Sequence, residues 1–126
     1  MKSKLIVGAI LLSIGAVANA DTLAGGAIYG GPSQTTATCY LYNAGTGPVT
    51  VTTNSIIRRG TLTPLTLTYD DCSTLAVGAT CFIEANIENG SAHSCRMVVS
   101  PSGADVRGSF EIRNSSAQVL SNTELR

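Results

Sequence analysis

From Cys81 to Glu88 the chain alternates residue by residue, and that pattern limits the fold more than any other feature. Cys81, Ile83, Ala85 and Ile87 share one side, while Phe82, Glu84, Asn86 and Glu88 share the other. A period of two fits a strand with one buried and one wetter face, not a helix. The alternation recurs along the chain. In Thr36 to Asn43, Cys39 and Leu41 oppose Tyr40 and Tyr42, and in Leu65 to Tyr69 the residues Leu65, Leu67 and Tyr69 oppose Thr66 and Thr68. Cys95, Met97 and Val99 align within Ser94 to Ser100, as do Val106, Gly108, Phe110 and Ile112 within Val106 to Arg113. Val49 to Ile57 is rich in β-branched residues, and Gln118 to Arg126 makes a final strand. Gly, Pro and Asn clusters separate these runs at Ala44–Pro48, Glu88–Ser91, Pro101–Gly103 and Asn114–Ser116. About seven strands with frequent turns predict an all-β antiparallel fold over residues 36–126. Strands apolar on one side need a second layer, so two packed sheets are expected rather than one open sheet.

Two segments precede that domain. Residues 1–20 read as a cleaved signal peptide: Lys2 and Lys4 form a basic start, Leu5 to Val17 is apolar, and Ala18-Asn19-Ala20 is an A-x-A site with cleavage after Ala20. The apolar run is shorter than the roughly 20 residues a spanning helix needs, so no membrane span is expected after its removal. Residues 21–35 carry four glycines and a proline. They read as a flexible lead-in, with a short edge strand at Ala27-Ile28-Tyr29. Loss of the leader leaves six arginines against eight acids, with the two signs scattered. That balance argues against a nucleic-acid partner, whose footprint is a basic stripe. Secretion or a periplasmic location is the expected destination.

Four cysteines, an even number, suit an oxidising compartment and two disulfides. Their gaps of 33, 9 and 14 residues, with one histidine in the chain, lack the close pairs of structural zinc sites. Cys72 and Cys81 flank a short loop containing Gly78, so that pair is expected to clip the loop. Cys39 and Cys95 fall on apolar strand faces and are expected to join across the core. Their separation of 56 is close to that of immunoglobulin-type sandwiches, although tryptophan is absent.

Residues Cys39-x-Leu41-x-Asn43-x-Gly45-x-x-Pro48-Val49-x-Val51 are similar to the strand–turn–strand opening of ASH-type immunoglobulin-like domains, the abnormal-spindle and Hydin class. Cys72-x-x-Leu75-x-x-Gly78-x-x-Cys81-x-Ile83 resembles the loop and strand that follow in bacterial members, and Val106 to Arg126 resembles the ending of small secreted bacterial proteins of unassigned activity. The resemblance implies an immunoglobulin-like sandwich used as a packing or binding module.

Residues that could carry chemistry are few. His93, the single histidine, stands at a turn-to-strand junction, where a surface position is expected, and no G-x-S-x-G elbow accompanies it. Asp70-Asp71 lacks the oxygen-rich spacing of a calcium loop and reads as a solvated turn. Glu84 and Glu88 lie four apart on one wet strand face, which is poor geometry for paired-carboxylate hydrolysis. Asn89-Gly90-Ser91 and Asn114-Ser115-Ser116 match glycosylation sequons but read as turns. Tyr40 and Tyr42 share an outer face and either anchor a binding surface or lie under a neighbouring segment. The expectation is a non-catalytic interaction or envelope-associated module without cofactor or metal, meeting a protein partner through a sheet edge or outer face. Two alternatives are a pilus or surface-assembly subunit, and a small secreted hydrolase or enzyme inhibitor.

Overall fold

The computed structural model describes residues 19–126. Nine strands follow one another: β1 (Asp21–Ile28), β2 (Gln34–Asn43), β3 (Val49–Arg58), β4 (Tyr69–Asp70), β5 (Thr74–Leu75), β6 (Thr80–Asn86), β7 (His93–Ser100), β8 (Val106–Asn114) and β9 (Val119–Leu125). They form a four-stranded sheet in the order β1-β7-β3-β5 and a five-stranded sheet in the order β4-β6-β2-β8-β9. Every pairing is antiparallel. This is the expected all-β, two-sheet sandwich.

The alternating residues fill the space between the sheets. Cys39 and Leu41 of β2, Ile83 and Ala85 of β6, Phe110 and Ile112 of β8, and Ile56, Met97 and Val99 of the facing sheet are all buried. At register level, Cys39 lies between Ile83 on one neighbour and Phe110 on the other. A one-residue slip of β2 would turn Tyr40 into this core, so burial on one face pins the register. Cys39 is bonded to Cys95, joining the middle of one sheet to the middle of the other, and Cys72 is bonded to Cys81. Both expected pairings are the observed ones.

Two expectations need correction. The Gly-rich segment after Ala20 is not a flexible lead-in with a short strand at residues 27–29. Residues Asp21–Ile28 form a regular edge strand paired with β7. Two of the segment's four glycines, Gly25 and Gly30, serve close approach. A Cβ on Gly25 would lie 2.9 Å from Leu125 Cδ2, and one on Gly30 would lie 2.6 Å from Ile112 Cγ2 and 2.9 Å from Leu120 Cβ. Beside them the Ala24 N–H donates to the Arg126 carbonyl at 2.9 Å, and the Arg126 N–H donates to the Ala24 carbonyl at 3.1 Å. These two bonds tie β1 to the end of β9 and close one corner between the sheets.

The second correction concerns Leu65 to Tyr69, which is not a continuous strand. The Leu65 N–H donates to the Ile56 carbonyl of β3 at 2.8 Å, while the Thr68 N–H donates to the Glu84 carbonyl of β6 at 2.8 Å. The segment crosses from one sheet to the other, so no single ladder can include all of it. Only Tyr69–Asp70 pairs regularly, as β4. Of the expected signal peptide, residues 1–18 lie outside the described residues, and β1 starts at the residue after Ala20. Among the described residues, no helix is long and apolar enough to cross a membrane. Two disulfides are compatible with an extracytoplasmic location.

Candidate functional site

The outward side chains of the five-stranded sheet gather four of the six aromatic residues, Tyr40, Tyr42, Tyr69 and Phe82. Tyr40 on β2 stands directly opposite Phe82 on β6, and their ring centroids are 5.6 Å apart. Tyr69 on the edge strand β4 stacks on the other side of Phe82, 4.5 Å away with 19° between the planes. Cross-strand aromatic neighbours of this kind stabilise a sheet face and stiffen it. At the inner end of the row, Arg113 of β8 bonds the Tyr40 hydroxyl through Nη2 at 3.0 Å, with its guanidinium carbon 5.9 Å from the Tyr40 ring centroid. Glu111 holds that guanidinium in place, its Oε2 accepting from Nη2 at 2.6 Å and from Nε at 3.0 Å.

These contacts leave a mixed surface. Tyr69 and Tyr42 remain 46% and 45% exposed. Between Tyr40 and Tyr42 lies an open hollow of about 230 Å³, with Thr80, Arg107 and Ser109 on its other sides. Burial raises the Tyr40 hydroxyl pKa above its ordinary value, Arg113 opposes the rise, and Glu111 and Glu84 add to it. The neighbouring Asp71 carboxylate raises that of Tyr69. Both phenols are therefore neutral donors at neutral pH, and the Glu111 hydrogen bond holds Arg113 firmly cationic. Rigid aromatic faces, neutral hydroxyls and a forked cation suit a flat contact with another macromolecule.

Tyr42 is exposed, whereas Tyr40 is half-buried against Phe82 and Arg113 of the neighbouring strands; the lead-in covers neither. The glycine-rich strand lies in the other sheet. Phe82, Tyr69, Arg107 and Arg113 were not legible as members of this face. Phe82 could be assigned outward from its alternation, but only the β2–β6 register sets it against Tyr40. Alternation aligns Tyr69 with Leu65 and Leu67, but the change of sheet within that segment turns its ring onto Phe82.

The other sequence candidates have structural duties. Asp70 accepts from the Cys72 N–H at 2.9 Å and from Asn54 Nδ2 at 2.9 Å, and Asp71 accepts from the Phe82 N–H at 2.7 Å. The two acids therefore bracket the Cys72–Cys81 loop. Asp71, Cys72 and Cys81 come within 4.8 Å of one another as metal donors would, but both sulfurs are committed to the disulfide. Glu84 accepts from Thr38 Oγ1 at 3.3 Å, whereas Glu88 lies beyond the end of β6 and pairs with Arg58 at 2.8 Å. The two carboxylates do not share a strand face. The Asn114 side chain is spent on its own turn, accepting from the Ser116 and Gln118 N–H groups at 3.0 Å each. Asn89 lies in the β6–β7 turn, where its carbonyl accepts from the Tyr29 hydroxyl at 3.1 Å.

His93 is not at the surface as expected. It opens β7 on the core-facing side and is 1% exposed. Burial lowers its pKa, Arg58 lowers it further, and the Ser91 backbone and Glu88 act the other way. The ring is therefore neutral at neutral pH. It stands at the end of the sandwich, away from the aromatic row.

No protein-family model matches the chain, and no curated protein or solved structure matches it. The likeness to ASH-type domains rests on the residues already quoted. In the fold, one of them has a clear task. Asn43 is buried, donates to the Gly47 and Leu75 carbonyls at 2.9 and 3.0 Å, and accepts from the Gly45 N–H at 2.9 Å. It thereby fixes the β2–β3 turn against the disulfide loop.

Proposed function

We propose that the protein is a secreted, non-catalytic binding module of the immunoglobulin-like kind, and that it meets a protein partner through the outer face of the five-stranded sheet. The observation that carries this reading is the Tyr69–Phe82–Tyr40 row ending in the Arg113–Glu111 pair, with Tyr42 and Arg107 exposed beside it. Tyrosine and arginine on a stiff support give large contact area at small entropic cost. The flanks are less suited to a partner strand. The strands β4 and β5 are two residues each, and β1 and β9 bond to one another. Short or covered edges discourage strand addition. The same closure weighs against an assembly subunit that borrows a neighbour's strand, since β9 occupies its place in the sheet.

The test is capture from the host's envelope and secreted fractions by immobilised oxidised protein. Three proteins are compared: the wild type, a Tyr42→Ser/Tyr69→Ser/Arg107→Ala variant, and an Arg96→Glu control on the outer face of the other sheet. A partner held by the wild type and the control but lost by the triple variant is the expected result. Equal retention by all three refutes the assignment of the face.

A further inference from the structure

The hollow on the outer face of the five-stranded sheet has one charged wall. Thr80, Tyr42 and Arg107 stand opposite one another on β6, β2 and β8, and Tyr40 faces the small Ser109 on the next row. Together they line the open space of about 230 Å³. Arg107 is exposed, and its guanidinium is only half engaged. Nη1 donates to the Ala104 carbonyl at 2.8 Å and to the Val106 carbonyl at 3.1 Å, which occupies both of its protons. Nε and Nη2 have no partner among the described residues.

The acids of the same face are committed elsewhere. Glu111 holds Arg113 at 2.6 Å, and Glu124, which stands opposite Ser109 on β9, meets Arg126 at 3.3 Å. Arg107 has no carboxylate within ion-pair distance among the described residues. Its unused edge, Nε with Nη2, presents two near-parallel N–H bonds, the geometry that takes both oxygens of a carboxylate. The hydroxyls of Tyr42, Thr80 and Ser109 also make no hydrogen bond to the described residues. The Tyr40 hydroxyl accepts from Arg113 Nη2 at 3.0 Å and keeps its own proton to give. One uncommitted cation among hydroxyl donors suits a planar group with a single negative charge. A phosphate group carries roughly −1.5 to −2 at neutral pH, an excess that Glu84, Glu111 and Glu124 on this face would oppose. Over residues 21–126 six arginines stand against eight acids, so the molecule as a whole does not attract anions. Any preference for them has to be local.

We propose that the protein partner of this face presents an aspartate or glutamate side chain to the hollow, where the free edge of Arg107 takes both carboxylate oxygens beside the hydroxyls of Tyr42 and Ser109. The assignment rests on the reading of the face as a protein-binding surface and adds the chemistry it selects. The Tyr69–Phe82–Tyr40 row supplies contact area, which discriminates little between partners. Arg107 supplies the discrimination, because a neutral side chain in the hollow would leave its N–H groups unpaired as the partner excludes water.

A random dodecapeptide display library provides the test, selected at neutral pH and low ionic strength against immobilised oxidised protein. The baits are wild type, Arg107→Gln, Arg107→Glu and Arg96→Gln, the last removing an exposed arginine from the other sheet. Wild type and Arg96→Gln should enrich peptides carrying Asp or Glu severalfold over the starting library. Arg107→Gln should lose that enrichment, and Arg107→Glu should turn it towards Lys and Arg. For the tightest acidic peptide, replacing its acid by the matching amide should weaken binding to wild type about tenfold in calorimetry, with no further loss in Arg107→Gln. Absence of acidic enrichment on wild type, equal enrichment on Arg107→Gln, or no peptide held above a bare surface would each overturn the proposal. Tyr69 does not line the hollow, so Tyr69→Ser separates this assignment from the wider one. Peptides that need Tyr69 but ignore Arg107 keep the face and refute the carboxylate. Acidic peptides that need Arg107 but ignore Tyr69 keep the carboxylate site and refute the wider face.

Discussion

Removing the Cys39–Cys95 bridge should cost this fold clearly more than removing Cys72–Cys81. The variants to compare are Cys39→Ala/Cys95→Ala and Cys72→Ala/Cys81→Ala, each losing both sulfurs so that no free thiol confuses the result. The first bridge spans 56 residues and the second spans 9. In the chain-entropy treatment these loops correspond to about 4.2 and about 2.6 kcal/mol, a difference of roughly 1.6 kcal/mol. Position widens the gap. Cys39 and Cys95 are 0% and 1% exposed at the middle of the core, whereas Cys72 is 7% exposed in a loop. Truncation at the first site therefore also leaves a cavity that neighbours on two sheets cannot easily close. Against a domain stability of about 5–15 kcal/mol, loss of the long bridge brings the protein near its folding threshold, while loss of the short one does not. Urea unfolding at fixed pH, read by circular dichroism, gives both midpoints. Steeper denaturant dependence is expected in the Cys39→Ala/Cys95→Ala protein, because its unfolded chain expands more. Equal losses in the two variants, or a greater loss for Cys72→Ala/Cys81→Ala, refute the reasoning.

Three further predictions concern single positions. Gly30→Ala would place a Cβ 2.6 Å from Ile112 Cγ2 and should destabilise by about 1–3 kcal/mol in a urea melt, whereas Gly26→Ala, with nothing within 4 Å, should stay within about 0.5 kcal/mol of wild type. Ala117 has φ 61° in the β8–β9 turn, and Ala117→Gly should raise stability by about 0.5–1 kcal/mol, visible as a thermal midpoint a few degrees higher. His93 has a lowered pKa in the fold, so below its ordinary value of 6.5 the unfolded chain takes up the proton first. Stability from this group is complete above that value and lost as pH falls towards the lowered one. Wild type should therefore lose more of its denaturant midpoint between pH 7.5 and pH 5 than His93→Gln does.

Much of the fold was legible because the relevant signals are local. Alternation in β2, β6, β7 and β8 assigned the inward residues Cys39, Leu41, Ile83, Met97 and Phe110; those faces implied the Cys39–Cys95 bridge, and the short loop around Gly78 implied Cys72–Cys81. Glycine was the ambiguous letter. Four of them between Asp21 and Thr35 have the composition of a flexible arm, yet Gly25 and Gly30 are there because Leu125 and Ile112, about 80 to 100 residues further on, leave no room for a side chain. Nothing local distinguishes a glycine chosen for freedom from one chosen for closeness. Leu65 to Tyr69 failed for a related reason: its alternation is real, but its hydrogen-bond partners change sheets half-way.

The candidate sites were less legible than the fold because each depends on register or on an end of the sandwich. Tyr40 could be placed outward from its own strand, but its companions Phe82, Arg113 and Tyr69 come from three other strands. His93 shows the opposite error. A histidine two residues after Ser91, beside a turn, reads as surface, and the missing information was the depth of the turn. Gln34 holds the Glu88 and Ser91 carbonyls from the far side, and Arg58 holds the Ser91 and Glu88 side chains from the near side. Those bonds draw the β6–β7 turn over the open end of the sheets and sink the residue that follows it. The side chain was then bound to be either apolar or paired within the protein, if burial alone had set it. His93 is a buried polar ring with neither nitrogen in a hydrogen bond of ordinary geometry among the described residues, which makes this end of the molecule the place where the sequence departs from what folding alone requires.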